Sequence, residues 1–221
     1  LKWTYEASAN IEWFDRWEDG FATGDLNDDG IADVVLGTAA GDAIAVNGES
    51  GIALWSYAVP NTKTSVNVDI VDVDVDGTLD IVAGGKASSG NTTIVALNKD
   101  GSLKWQANGD YQETTDLAYG DVNHDGAPDV AVAIGTYPTG GGQVILLDGR
   151  DGTRIWDVNL GSGIAFGIDA KDMNGDGDME VAVTNYNNKL FLIDGATNSV
   201  LWSQGGTYYG RDVIIENIGD N

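Results

Sequence analysis

The chain has 221 residues, 42% of them hydrophobic, no cysteine, and a formal net charge of -24 from 35 acidic and 11 basic side chains. That length is enough for a substantial core, and so few lysines and arginines argue against nucleic acid bound through a basic patch. Without cysteine there is no disulfide, zinc–thiolate site or thiol nucleophile, and no apolar run reaches the roughly 18 residues of a membrane helix.

In chain order, Leu1-Lys2-Trp3 opens a series of tryptophan segments, without a starting Met or signal peptide. The sequence therefore reads as a mature or excised fragment. A long connection follows, carrying Trp13, Phe14 and Trp17. Next, 20–24 reads as a first strand, and Gly24 to Asp33 as a turn rich in side-chain oxygens. Asp25, Asn27, Asp29 and Asp33 alternate around Gly30, which can take φ > 0 without strain, so their oxygens can converge on one cation. The Ile31 carbonyl would add a ligand and water would complete the shell. Taken singly, this stretch serves equally well as a solvated turn.

The stretch recurs at Asp72–Asp80, Asp121–Asp129 and Asp172–Glu180, about 50 residues apart, which is a propeller-blade period. After each copy come apolar, β-branched runs: Asp33 to Leu36, Asp80 to Ala83, Asp129 to Val132 and Glu180 to Val183. A third run follows, such as Ala43 to Val46 or Lys189 to Ile193. A glycine-rich turn then leads to Trp55, Trp105, Trp156 or Trp202. Four antiparallel strands per unit predict an all-β chain, a β-propeller of four-stranded blades with four complete repeats and a partial fifth. Residues 1–221 are expected to form a single propeller domain, incomplete at its C-terminal end. Val200 to Gly206 reads as the opening of the fifth unit and Asp212 to Glu216 as its inner strand. Glu216 to Asn221 resembles half of a fifth loop. An open array would expose strand edges, so another chain or a missing segment is expected to complete the ring.

Four copies in phase favour a metal site over a turn. Oxygen ligands in an irregular loop select calcium over magnesium, which demands stricter octahedral geometry, and over zinc or copper, which prefer His or Cys. The sole histidine, His124, occupies an outward position of its loop. An EF-hand needs a bidentate Glu at the twelfth position, where this chain has Leu36, Ala83, Val132 and Val183.

At these residues the chain resembles the FG-GAP/VCBS family of calcium-binding propeller repeats found in integrin α-subunit heads and microbial surface proteins. The resemblance implies about four Ca²⁺ sites. The first holds Asp25, Asn27, Asp29 and Asp33 with the Ile31 carbonyl; the second holds Asp72, Asp74, Asp76 and Asp80 with that of Thr78. The third holds Asp121, Asn123, Asp125 and Asp129 with Ala127, and the fourth Asp172, Asn174 and Asp176 with Asp178, and Glu180 in place of the last Asp. Phe21 and Phe166-Gly167 are the traces of the Phe-Gly signature, and the later half of each unit is similar to a quinoprotein (PQQ-type) blade.

The repeated tryptophans are expected to pack between blades. Trp13, Phe14 and Trp17 are either a stacking surface for a sugar or partner chain or the plug of a core edge, and Tyr208 and Tyr209 carry the same two readings. Asp69, Asp116, Asp169 and Asp212 either line a central funnel, where an acid pair could serve a lyase or hydrolase, or end their strands in solvent. No histidine base stands beside a nucleophile, and no phosphate-binding glycine loop appears. The sequence therefore reads as an extracellular or cell-surface module, stabilised by calcium, that binds protein or carbohydrate or serves adhesion or structure in a larger surface protein. The alternative is part of a secreted carbohydrate-active or quinoprotein-type enzyme.

Overall fold

The computed structural model describes residues 3–6, 20–137, 140–173, 175, 177–206 and 210–215. Trp13, Phe14, Trp17, Asn174, Asp176, Tyr208, Tyr209 and residues 216–221 lie outside the described residues. The chain divides into two compact units, residues 1–114 and 115–221. Among the described residues the regular structure is all strand.

In the first unit, β1 (Phe21–Gly24), β2 (Asp33–Gly37), β3 (Asp42–Val46) and β4 (Ala53–Ala58) form one antiparallel sheet in that order. A second contains β5 (Thr62–Val71), β6 (Asp80–Ala87), β7 (Thr93–Asn98) and β8 (Leu103–Asn108), also paired in chain order. Glu113, near the end of this unit, adds one bridge to Lys86 of β6, reinforced by an ion pair at 3.1 Å. The two sheets share a core that includes Leu26, Val35, Ala45, Val68, Ile81 and Leu97.

The second unit begins within β9 (Glu113–Gly120), which pairs with β10 (Asp129–Gly135); β11 (Gly141–Leu147) and β12 (Arg154–Ser162) follow. Its other sheet is β13 (Ala165–Lys171), β14 (Glu180–Asn185), β15 (Lys189–Asp194) and β16 (Ser199–Gly205). Val144, Trp156, Ile168, Val181 and Phe191 belong to its core. The expected strands of the four sheets are thus present, with one change of assignment. Residues read as opening a fifth unit form β16, whose ladder to β15 makes it the outer strand of the fourth sheet.

Burial explains the sequence pattern. The second strand of each sheet has sheet neighbours on both sides, and in β10 and β14 every residue is buried. Such strands read as continuous apolar runs, whereas a strand with one wet face alternates, as β12 does. The tryptophan strands carry a second regularity. Trp55, Trp105, Trp156 and Trp202 pair with Ala45, Ala96, Leu146 and Leu192, and each ladder slips by one residue immediately afterwards. The extra residue of each bulge is Leu54, Lys104, Ile155 or Leu201. A bulge bends its strand and re-aims a side chain.

Three of the indoles reach the turn of the following repeat. Trp3 Nε1 donates to the Gly48 carbonyl at 2.9 Å, Trp55 Nε1 to that of Lys99 at 2.9 Å, and Trp156 Nε1 to that of Gly195 at 2.8 Å. The rings lie flush on these turns: a Cβ on Gly51 would come within 2.6 Å of the Trp3 ring, and one on Gly101 within 2.7 Å of Trp55. Trp202, in the same register, is 45% exposed.

The inner acids have structural partners. Asp116 Oδ2 accepts the Ile168 N–H at 2.8 Å, and Asp169 Oδ2 accepts the Ile215 N–H at 2.6 Å. Residues 211–215 form no strand, yet Val213 and Ile215 pack against Ala182 and Leu192. The segment read as the next inner strand therefore makes that strand's bond to Asp169 without pairing into a sheet.

Candidate metal centre

Each oxygen-rich loop joins the first strand of a sheet to its second, and the four share one internal wiring. The carboxylate at the first position accepts the N–H of the sixth: Gly30 to Asp25 at 2.8 Å, Gly77 to Asp72 at 3.0 Å, Gly126 to Asp121 and Gly177 to Asp172 at 3.1 Å each. In the first three it also accepts the N–H of the fifth position, from Asp29, Asp76 and Asp125. The ninth residue is buried in all four, and its carboxylate takes the N–H of the second. These bonds are Leu26 to Asp33, Val73 to Asp80, Val122 to Asp129 and Met173 to Glu180, at 3.0, 3.3, 2.9 and 2.8 Å. Glu180 thus makes the bond that Asp makes in the other copies.

Two residues of each loop have positive φ. The glycine at the sixth position was expected, with φ from 82° at Gly30 to 97° at Gly177. The fourth position was not: Asp28, Val75, His124 and Gly175 have φ of 62°, 59°, 61° and 78°. Only Gly175 hints at this in sequence. Two left-handed residues so close together curl the backbone and turn the first, third and fifth side chains toward its inside. His124 is exposed as expected, with Nε2 2.7 Å from Asp178 Oδ1.

The loops differ in how their acids are neutralised. In the third, Asn123 Nδ2 donates to Asp129 Oδ1 at 3.1 Å, and the guanidinium of Arg150 pairs with Asp125. In the first, the Gly48 N–H donates to Asp33 Oδ1 at 2.9 Å and Asn47 Nδ2 to Asp29 Oδ2 at 3.2 Å, while Lys99 pairs with Asp28. The second loop has Asp74 where those two have Asn27 and Asn123. Here Lys104 Nζ sits 2.5 Å from Asp74 Oδ2 and 2.8 Å from Asp80 Oδ2. Nothing in the loop pattern pointed to Lys104, because strand alternation says nothing of a bulge.

Protonation follows these surroundings. Burial pushes Asp129 up to about 6, against the bonds it accepts from Asn123 and Val122. Burial also raises Asp80, with Lys104 opposing it. Asp76 is lowered by its bonds from Thr78, and Asp125 by the Ala127 N–H and then Arg150. Burial works against the charge of Lys104, but its bonds to Asp74 and Asp80 win and raise it.

Whether these residues suit a cation is best judged in the second loop. Asp72, Asp74 and Asp80 each bring a carboxylate oxygen within 4.8 Å of the others. Oxygens on opposite sides of a calcium ion, each at about 2.4 Å, are that far apart. Asp80 is fully buried, and its Oδ1 has no hydrogen-bond partner. A buried carboxylate oxygen left so is costly, and a hard cation would satisfy it. Donor type, spacing and this orphaned atom all fit calcium. Of the expected ligands, Asn174 and Asp176 of the fourth loop lie outside the described residues.

Solved structures share the fold. BamB from Moraxella catarrhalis aligns with a TM-score of 0.51 and 18% identity, over 84% of this chain and 52% of that one. The quinohemoprotein alcohol dehydrogenase ADHIIG from Pseudomonas putida HK5 gives 0.52 and 13%, over 78% and 33%. A europium-containing methanol dehydrogenase gives 0.64 and 12%, over 94% and 45%. The chain thus spans about half or less of each of these structures, and at such identities the likeness is one of fold, the PQQ-type β-propeller. No curated protein sequence matches the chain. The FG-GAP-like repeat model matches three times, over residues 25–83, 72–132 and 121–183. Each match runs from one oxygen-rich loop into the strand beyond the next, and together they span most of the chain, which therefore belongs to the FG-GAP-like repeat family.

Proposed function

We propose that this chain is a calcium-stabilised β-propeller module of an extracellular or cell-surface protein, one that binds protein or carbohydrate, serves adhesion or gives structure. The observation that carries the metal part is the second loop, with three carboxylates at calcium spacing and a buried oxygen that has no partner. The common wiring extends the reading to the first, third and fourth loops. An ion that binds the folded loop and not the unfolded chain stabilises by about 2.7 kcal/mol per site at 100 times its Kd. Excess EDTA is accordingly expected to lower the melting temperature in calorimetry, with calcium restoring it. Identical melts in calcium and EDTA would overturn the assignment.

The two compact units are read as parts of a single propeller domain that a further segment or another chain completes. Trp13, Phe14 and Trp17 are the proposed ligand surface. A glycan array with wild type and a Trp13→Ala/Trp17→Ala variant tests it, and unaltered binding by the variant removes the surface. The second reading, part of a carbohydrate-active or quinoprotein-type enzyme, rests on fold likeness to the dehydrogenases. Turnover of a polyuronate, or of an alcohol with added quinone, would favour it.

A further inference from the structure

The second loop carries a cation of its own. Its third position is Asp74, an acid where the first and third loops have an amide. In the third loop that amide, Asn123, donates to the ninth carboxylate, Asp129; a carboxylate cannot donate and adds a charge instead. Lys104 stands at the bulge of β8, a position filled by Leu54, Ile155 and Leu201 in the other sheets. Those three aliphatic side chains are exposed. The Lys104 side chain is only 11% exposed and reaches into the loop, bonding Asp74 and Asp80 together. So the one loop with an acid at its third position is also the one whose bulge residue is a base. Even so, Lys104 reaches only Oδ2 of Asp80, leaving Oδ1 without a partner.

We propose that Lys104 is the internal counter-ion of the second loop, which holds that loop together without a metal and which a divalent ion must displace to bind there. The loops are then unequal. In the first and third the ninth carboxylate is covered by neutral donors, and the cations Lys99 and Arg150 sit on Asp28 and Asp125 instead, whereas the second takes calcium only as Lys104 swings out along its bulged strand. Its affinity is lower by whatever the ion pairs contribute, and it fills after the others. This inference rests on the calcium reading, but its own test is separable.

Two variants decide it, each followed by calorimetric melting in EDTA and by calcium titration. Lys104→Met keeps the stem and removes the charge. It should melt several degrees below wild type in EDTA, recover in calcium, and bind calcium in its weakest site at least tenfold more tightly. Leu54→Lys places the base at the matching, 39% exposed bulge of the first sheet, where folding is not at risk. It should weaken one calcium site without lowering the EDTA melt. Unchanged calcium affinities in Leu54→Lys overturn the proposal, as does a Lys104→Met protein that melts like wild type in EDTA. If wild type takes up no calcium at millimolar concentration, the calcium reading fails and the displacement fails with it. The EDTA melt of Lys104→Met still decides whether Lys104 is the counter-ion.

Discussion

In the third loop, Asp129 takes N–H bonds from Val122 and Asn123 at 2.9 Å each, and the Asn123 amide covers its other oxygen. In the second, Asp80 takes one long N–H bond from Val73 at 3.3 Å and leans on Lys104. The backbones have the same two left-handed residues and the same pair of N–H bonds to the first carboxylate. The ninth carboxylate is covered by neutral donors in one loop and by Lys104 in the other. A single change, Asn to Asp at the third position, accounts for this, because it removes a donor and leaves a charge that something cationic must meet. The repeat conserves the backbone and leaves the neutralisation to be solved locally.

The largest effect expected from this contrast is at the ninth position, with metal removed. Asp80→Ala should cost about 3–5 kcal/mol in denaturant unfolding, since it strips a buried ion pair of one partner. Asp129→Ala should cost about 1–3 kcal/mol, since it removes hydrogen bonds to neutral donors. Equal costs would break the comparison.

A pH series gives the next effect. Burial raises Asp129 from its ordinary 3.8 to about 6. Between those values the folded chain keeps a proton that the unfolded chain has released, so stability from this group falls as pH rises. Above about pH 6 the cost of burying the charge is fully present; it amounts to about 3 kcal/mol at most. In EDTA, wild type should therefore lose stability relative to Asp129→Asn from about pH 4 to 6. Calcium, which favours the ionised form, should flatten the difference. A flat difference without calcium would show that Asp129 is ionised throughout.

The smallest effect concerns backbone strain. Val75 is a β-branched residue at φ 59°, 57% exposed, where the other loops use Asp28, His124 and Gly175. Left-handed backbone costs such a residue about 1–2 kcal/mol, and Asn tolerates it better. Val75→Asn should stabilise the protein by about 1 kcal/mol, with calcium or without. A gain confined to calcium would place the benefit in ion binding instead.

Most of the fold was legible because the chain states it four times. One loop reads as a turn or a site, but four in phase with four tryptophans fix the unit, and the apolar runs after each loop mark buried strands. The outer ligands were legible for the same reason. What escaped were features that period and alternation do not encode. Val75 resembles any strand valine until its φ is seen. Lys104 alternates correctly on paper, and the bulge beside Trp105 is what turns it into the loop. Residues 200–206 read as the opening of a new unit because sequence marks where a repeat recurs, whereas only the ladder to β15 shows which sheet a strand completes.

The indole bonds give the array a direction. Trp55 reaches forward to the turn holding Lys99 and Gly101, Trp156 forward to Gly195, and Trp3 forward to Gly48. β4 and β12 are therefore each seated by chain that follows them. A lesion at such a turn is felt upstream: crowding at Gly101 unseats Trp55 in the preceding sheet, while the sheet that contains Gly101 keeps its own ladder. During synthesis from the N-terminus, β4 then waits for another 44 residues, and β12 for another 39, before its indole has a seat.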